Sequence, residues 1–79
     1  MKLPRDISGE ELVKGLRRVG YEIVRQTRHA YLTTRRNGEH HIAVPMHDTI
    51  KVGTLAAILA AVADHLAVDR DELLGLMRL

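Results

Sequence analysis

The sequence predicts an α+β fold: a single α-β-β-β-α domain over residues 1–79, with a three-stranded antiparallel sheet, helices on one face and a short C-terminal helix. Three observations predict it. An S-x-x-E capping box, Ser8 to Glu11, opens an amphipathic segment. Three short strand-like runs follow, the last two joined by Asn37-Gly38, a strong hairpin signal. An alanine-rich amphipathic stretch then reaches Leu66. Helices segregated to one face of an antiparallel sheet make a two-layer sandwich.

Each element has a local cause. Ile7 and Leu12 are placed as a hydrophobic staple around the capping box. Leu12, Leu16 and Val19 then give the first helix one apolar stripe, to about Val19. Gly20 sits where a helix C-terminus takes a left-handed residue. Residues 21–26, 29–34 and 39–44 read as three strands. Pro45 ends the third because it has no N–H for a ladder bond. The long helix starts at Gly53 or Thr54, with Leu55, Ile58, Leu59, Val62 and Leu66 along one side. Asp69 and Glu72 repeat the capping spacing before a last helix carrying Leu73, Leu74 and Met77.

Composition narrows the function. A chain of 79 residues has room for one core and one functional face. It buries only about 60% of the surface its unfolded chain exposes. The absence of cysteine removes disulfide frameworks, zinc ribbons and thiol nucleophiles, and fits a reducing, cytoplasmic location. The opening residues 1–6 are too polar for a signal peptide. The apolar stretch 55–63 is too short to cross a bilayer, so no membrane partner is expected.

Net charge is only +2, but its halves differ. Residues 1–38 carry nine Lys/Arg and four Asp/Glu, or +5; residues 39–79 carry three and six, or −3. The basic half suggests a polyanion partner. Tyr21 and Tyr31 are the only aromatic residues of the Phe, Trp and Tyr class, too few for a stacking platform. RNA affinity would then rest on backbone electrostatics, with Lys14, Arg17, Arg18, Arg28, Arg35 and Arg36 as the contacting residues.

The hairpin register decides which residues share the uncovered face. A two-residue Asn37-Gly38 turn would put Leu32 on one side of the sheet and Ile42 and Val44 on the other. A three-residue loop, Arg36-Asn37-Gly38 with Gly38 left-handed, pairs Leu32 with Ile42 and Ala30 with Val44, and keeps the apolar face whole. The open face then carries His29, Tyr31, Thr33 and His41. Extending the third strand past Pro45 brings His47 near His29.

Histidine moves protons near neutral pH without a metal. RNA supplies its own nucleophile, the 2′-hydroxyl, so histidines and arginines suffice to cut it. His29 and His47 are the expected catalytic pair, with no metal and no cofactor. His40 reads as inward and structural, and His65 as a cation suited to a helix C-terminus. The competing chemistry is a metal site built from His40, His41, His47 and Asp48. Adjacent strand residues His40 and His41 point to opposite faces and do not both chelate one ion. A helix-turn-helix made of the last two helices is disfavoured by Asp71 and Glu72, which leave that helix a poor face for phosphates.

Residues 7–12, Ile7-Ser8-Gly9-Glu10-Glu11-Leu12, followed by residues 16–22, Leu16-Arg17-Arg18-Val19-Gly20-Tyr21-Glu22, resemble the opening of HicA-type (YcfA-like) mRNA interferase toxins. So does Val24-Arg25-Gln26 leading into a strand histidine and Leu32-Thr33-Thr34. Val44-Pro45-Met46-His47-Asp48, Lys51-Val52-Gly53-Thr54-Leu55 and Ile58-Leu59 resemble the family's second half. The resemblance implies a fold like the double-stranded-RNA-binding domain and metal-independent cleavage of mRNA. It makes the second-strand histidine, His29, essential, and it implies a HicB-like antitoxin that covers the active face. The family's usual Gly-Ser before this histidine is Thr27-Arg28 here; Arg28 either compensates by contacting the scissile phosphate or marks a variant that binds RNA poorly.

Overall fold

The computed structural model describes Pro4 and residues 6–79; of the opening hexapeptide, Met1, Lys2, Leu3 and Arg5 lie outside the described residues. The element order is α1 (Gly9–Arg18), β1 (Glu22–Gln26), β2 (His29–Thr34), β3 (His40–Pro45), α2 (Val52–Leu66) and α3 (Arg70–Met77). The fold is α+β, as the pattern predicts.

The local signals of the first helix act as read. The Ser8 hydroxyl accepts from the Glu11 amide at 3.1 Å, and the Ser8 amide donates back to the Glu11 carboxylate at 3.2 Å. At the other end the Tyr21 amide reaches the Leu16 carbonyl and the Gly20 amide the Arg17 carbonyl. That is a Schellman closure, with Gly20 at a φ of 105°. It drops Tyr21 into the core at 1% exposure and delays β1 by one residue.

The sheet order is β1-β2-β3, antiparallel throughout. In the β2–β3 pair, Leu32 faces Ile42, Ala30 faces Val44 and His29 faces Pro45, the register that keeps the apolar face whole. The connecting loop is wider than three residues. The ladder closes at Thr34–His40, and both Asn37 and Gly38 take positive φ, 56° and 99°. Thr34 is the cause: its hydroxyl accepts the Arg36 amide at 3.1 Å and starts the turn early. Because the loop stays odd-numbered, the faces do not exchange.

The helices cover one sheet face. Leu12, Leu16, Leu55, Leu59, Leu73 and Met77 pack with Leu32 and Val44 in one buried cluster. α1 and α2 both lie against β3, and α3 closes the cluster against them. Gly9 lets α1 approach closely, since a Cβ there would stand 2.6 Å from the Pro45 carbonyl oxygen. α2 starts at Val52 on an N-cap, Lys51, that makes no side-chain cap bond, and ends on Ala67 in the left-handed region. At α3 the Asp69 carboxylate accepts the Glu72 amide at 2.8 Å, the forward half of the box the spacing suggests. Among the described residues, no single helix is long and apolar enough to cross a membrane.

Candidate active site

The uncovered sheet face is where chemistry is available. Along β2 burial alternates: His29 and Tyr31 are exposed, Ala30 and Leu32 buried. On β3, His41 and Ala43 are exposed and Val44 is buried. His29, Tyr31, Thr33 and His41 therefore share the open side, by the period-two geometry of a strand. The His29 ring lies 6.2 Å from the Tyr31 ring, tilted by 32°. His41 pairs with Thr33 and makes a 3.2 Å contact with Glu39, both side chains exposed. It stands four residues along from His29, about 13 Å by strand rise.

His47 is held from a different direction. The ladder continues one step past Pro45, with the Met46 amide donating to the Arg28 carbonyl at 3.3 Å. The chain is then drawn to the start of α1, where the Gly9 amide donates to the His47 carbonyl at 2.9 Å. The exposed His47 side chain lines a shallow cleft with Ser8, Glu10, Gln26, Met46 and Asp48. His29 has Tyr31 as its ring neighbour and Arg28 beside it in the chain; His47 has Glu10 and Asp48 around it.

The six cations fall into separate groups. Lys14, Arg17 and Arg18 share one patch on α1, in the helix layer. Arg35 and Arg36 line a groove at the hairpin end of the sheet with Gly20, Glu22, Val24, Thr33 and Thr34. Arg28 lies at the other end of β2, roughly 20 Å from Arg35 by strand rise. Two of the six also work inside the fold. Arg18 donates to the Met77 carbonyl at 2.9 Å, and Arg36 to the Val19 carbonyl at 3.1 Å, satisfying helix ends that lack partners of their own.

His40 and His65 are structural, and they form a cluster that sequence spacing does not reveal. His65 Nε2 donates to the carbonyls of Arg36 at 2.7 Å and Gly38 at 3.0 Å, tying α2 to the hairpin loop. The His40 ring stacks on it at 4.4 Å and shares a 2.7 Å hydrogen bond with the Tyr21 hydroxyl. Burial, and then the charges of His65 and His41, hold the His40 imidazole below its ordinary pKa. Burial raises the Tyr21 phenol. Among the described residues, no three His, Cys, Asp or Glu side chains converge as a metal site would need.

A residue the sequence reading left out of the interface is Arg25. β1 carries a bulge between Ile23 and Arg25, and Arg25 pairs with Tyr31 on the open side. No apolar pattern marks the bulge; it shows in the pairing. Ile23 and Gln26 pair with the inward residues Leu32 and Ala30, and three steps between two inward residues demand one extra residue.

A small α+β domain with a bare, histidine-bearing sheet face is the setting in which the comparison with known families falls. A family model described as the HicA toxin of bacterial toxin-antitoxin systems matches residues 9–63, more than two thirds of the chain. The protein is thus a toxin of the toxin–antitoxin class. The chain belongs to the HicA toxin family, and an antitoxin is its partner by class. No curated protein and no solved structure matches it.

Proposed function

We propose that this toxin is a metal-independent endoribonuclease that cuts mRNA on the open sheet face, in the cytoplasm, and that a HicB-like antitoxin silences it by covering that face. The observation that carries the reading is His29: an exposed imidazole on the uncovered side of the sheet, next to Arg28, in a HicA-family chain. A side chain so exposed contributes nothing to the core, and this one sits where an extended polyanion has access.

The chemistry balances with histidine alone. A basic imidazole removes the proton of the 2′-hydroxyl, and the 2′-oxygen forms its bond to phosphorus. The bond from phosphorus to the 5′-oxygen breaks, and a protonated imidazole gives that oxygen a proton. The products are a 2′,3′-cyclic phosphate and a free 5′-hydroxyl. His29 is the principal acid or base, and His47 assists from the cleft at the start of α1. Arg28, Arg35 and Arg36 hold the phosphate backbone, and Lys14, Arg17 and Arg18, in the helix layer, attract it from outside the contact.

The test is induced expression of wild type against His29→Ala, with cleavage of purified mRNA followed with and without EDTA. Wild type should arrest growth and cut RNA in EDTA; His29→Ala should do neither. Equal growth of the two strains, or cleavage abolished by EDTA and restored by magnesium or zinc, removes the reading.

A further inference from the structure

Regular alternation would keep Arg25 off the open face. Ile23 pairs with Leu32, so it belongs to the helix-covered side, and a residue two steps on would normally share that side. The bulge changes the count. Val24 is the extra residue, Arg25 pairs with Tyr31, and Gln26 returns to the covered side opposite Ala30. Bulges recur beside active sites because they re-aim a side chain. This one moves a single cation onto the face that carries His29.

Its position there is specific. Arg25 stands directly across from Tyr31 and diagonal to His29, a spacing of about 7–8 Å in an antiparallel pair. That is within the reach of an arginine side chain to a phosphate lying against His29. Among the described residues the only ion pair is Glu39–His41, so no carboxylate occupies the Arg25 guanidinium. On the far side of Tyr31 the paired residue is Ala43, small and exposed. Tyr31, 40% exposed as a residue, thus stands beside an open floor where a planar group can lie.

We propose that Arg25 and Tyr31 form, with His29, the binding site for one nucleotide step of single-stranded RNA. The proposal rests on the reading of His29 as acid or base. Arg25 binds the non-bridging oxygens of the scissile phosphate and stabilises the charge they gain in the phosphorane. It gives and takes no proton, since a guanidinium stays charged in proteins. Tyr31 stacks the adjoining base. One ring holds one base, and that base must be unpaired, so the substrate is single-stranded or looped RNA rather than a duplex.

The experiment compares Arg25→Ala, Arg25→Lys, Tyr31→Leu and Tyr31→Phe with wild type. Steady-state cleavage is measured on a fluorescent single-stranded oligoribonucleotide. Binding is measured with its 2′-O-methyl counterpart, which lacks the nucleophile. Arg25→Ala should lower kcat by about 10²–10³, with Arg25→Lys in between. Tyr31→Leu should raise KM and Kd about tenfold with kcat little changed, and Tyr31→Phe should match wild type. Melting temperatures should not move, because both side chains are exposed. Arg25→Ala cutting at the wild-type rate while His29→Ala is dead overturns this proposal and leaves the nuclease reading. RNA bound by wild type, lost in Arg25→Ala and Tyr31→Leu, but never cut, overturns the nuclease reading and retains the nucleotide site. A wild-type chain that neither binds nor cuts overturns both.

Discussion

His40 shows how a histidine becomes structural. Its ring is fixed between the Tyr21 hydroxyl at 2.7 Å and the His65 ring at 4.4 Å. His65 is fixed in turn, because its Nε2–H must point at the carbonyls of Arg36 and Gly38. Protonating His40 there puts a charge in a half-buried position beside two other imidazoles. Its folded pKa lies below the ordinary value of 6.5, burial being the main cause. The unfolded chain therefore binds the proton more readily, so the stabilisation is complete above pH 6.5 and is lost as pH falls below it. Thermal melts between pH 7.5 and 5 should show the melting temperature dropping in the lower half of that range. His40→Gln should flatten the drop while keeping a hydrogen-bonding group for Tyr21. A wild-type slope retained in His40→Gln would assign it to another group. His40 was legible as inward from strand alternation alone. Its partner His65, a helix away, was not, because nothing in local spacing encodes a contact across 25 residues.

Among the elements, α2 carries a local conflict. It ends on Ala67 at φ 58° and ψ 41°, a left-handed position where an L side chain crowds its own carbonyl. The Val68 amide still closes the helix onto the Ala63 carbonyl at 3.0 Å, so the turn is imposed by the packing of α3 beyond it. Ala67 is exposed, and its methyl group has no core contact to lose. Ala67→Gly should therefore stabilise the protein by about 1 kcal/mol, a rise of roughly 4–8 °C in Tm for a domain of this size. A lower Tm in Ala67→Gly would mean that the flexibility glycine adds to the unfolded chain outweighs the relieved strain. The strand elements show what sequence does and does not encode. The β2–β3 register was legible because only one pairing keeps Leu32, Ile42 and Val44 on one side. The bulge in β1 was hidden by the edge position of that strand. All five of its residues are exposed, including Ile23 and Val24, so the apolar pattern carries no sign of which side is covered.

At the scale of the whole molecule, a linear charge count misleads. The basic half of the sequence reads as one electropositive face, but the fold divides it. Lys14, Arg17 and Arg18 lie in the helix layer, and Arg25 belongs to the sheet layer on the side of His29, with the exposed Arg28 in the β1–β2 turn next to His29 in the chain. The body between is 18 Å across in its shortest dimension. A single strand lying on the open face meets Arg25, Arg28 and Arg35 first, and reaches the α1 patch only by passing around the edge. Counterion release makes the difference measurable, because each phosphate neutralised on single-stranded nucleic acid contributes about 0.7 to the slope of log affinity against log salt. With the uncleavable oligonucleotide, Arg28→Gln combined with Arg35→Gln should reduce that slope by about 1.4, two contacts' worth. Lys14→Gln combined with Arg17→Gln should leave the slope nearly unchanged and slow association, since charges outside the contact act through the long-range field. A slope lost equally in both double variants would show the strand wrapping both layers, and a slope near zero in wild type would remove the electrostatic account of binding altogether.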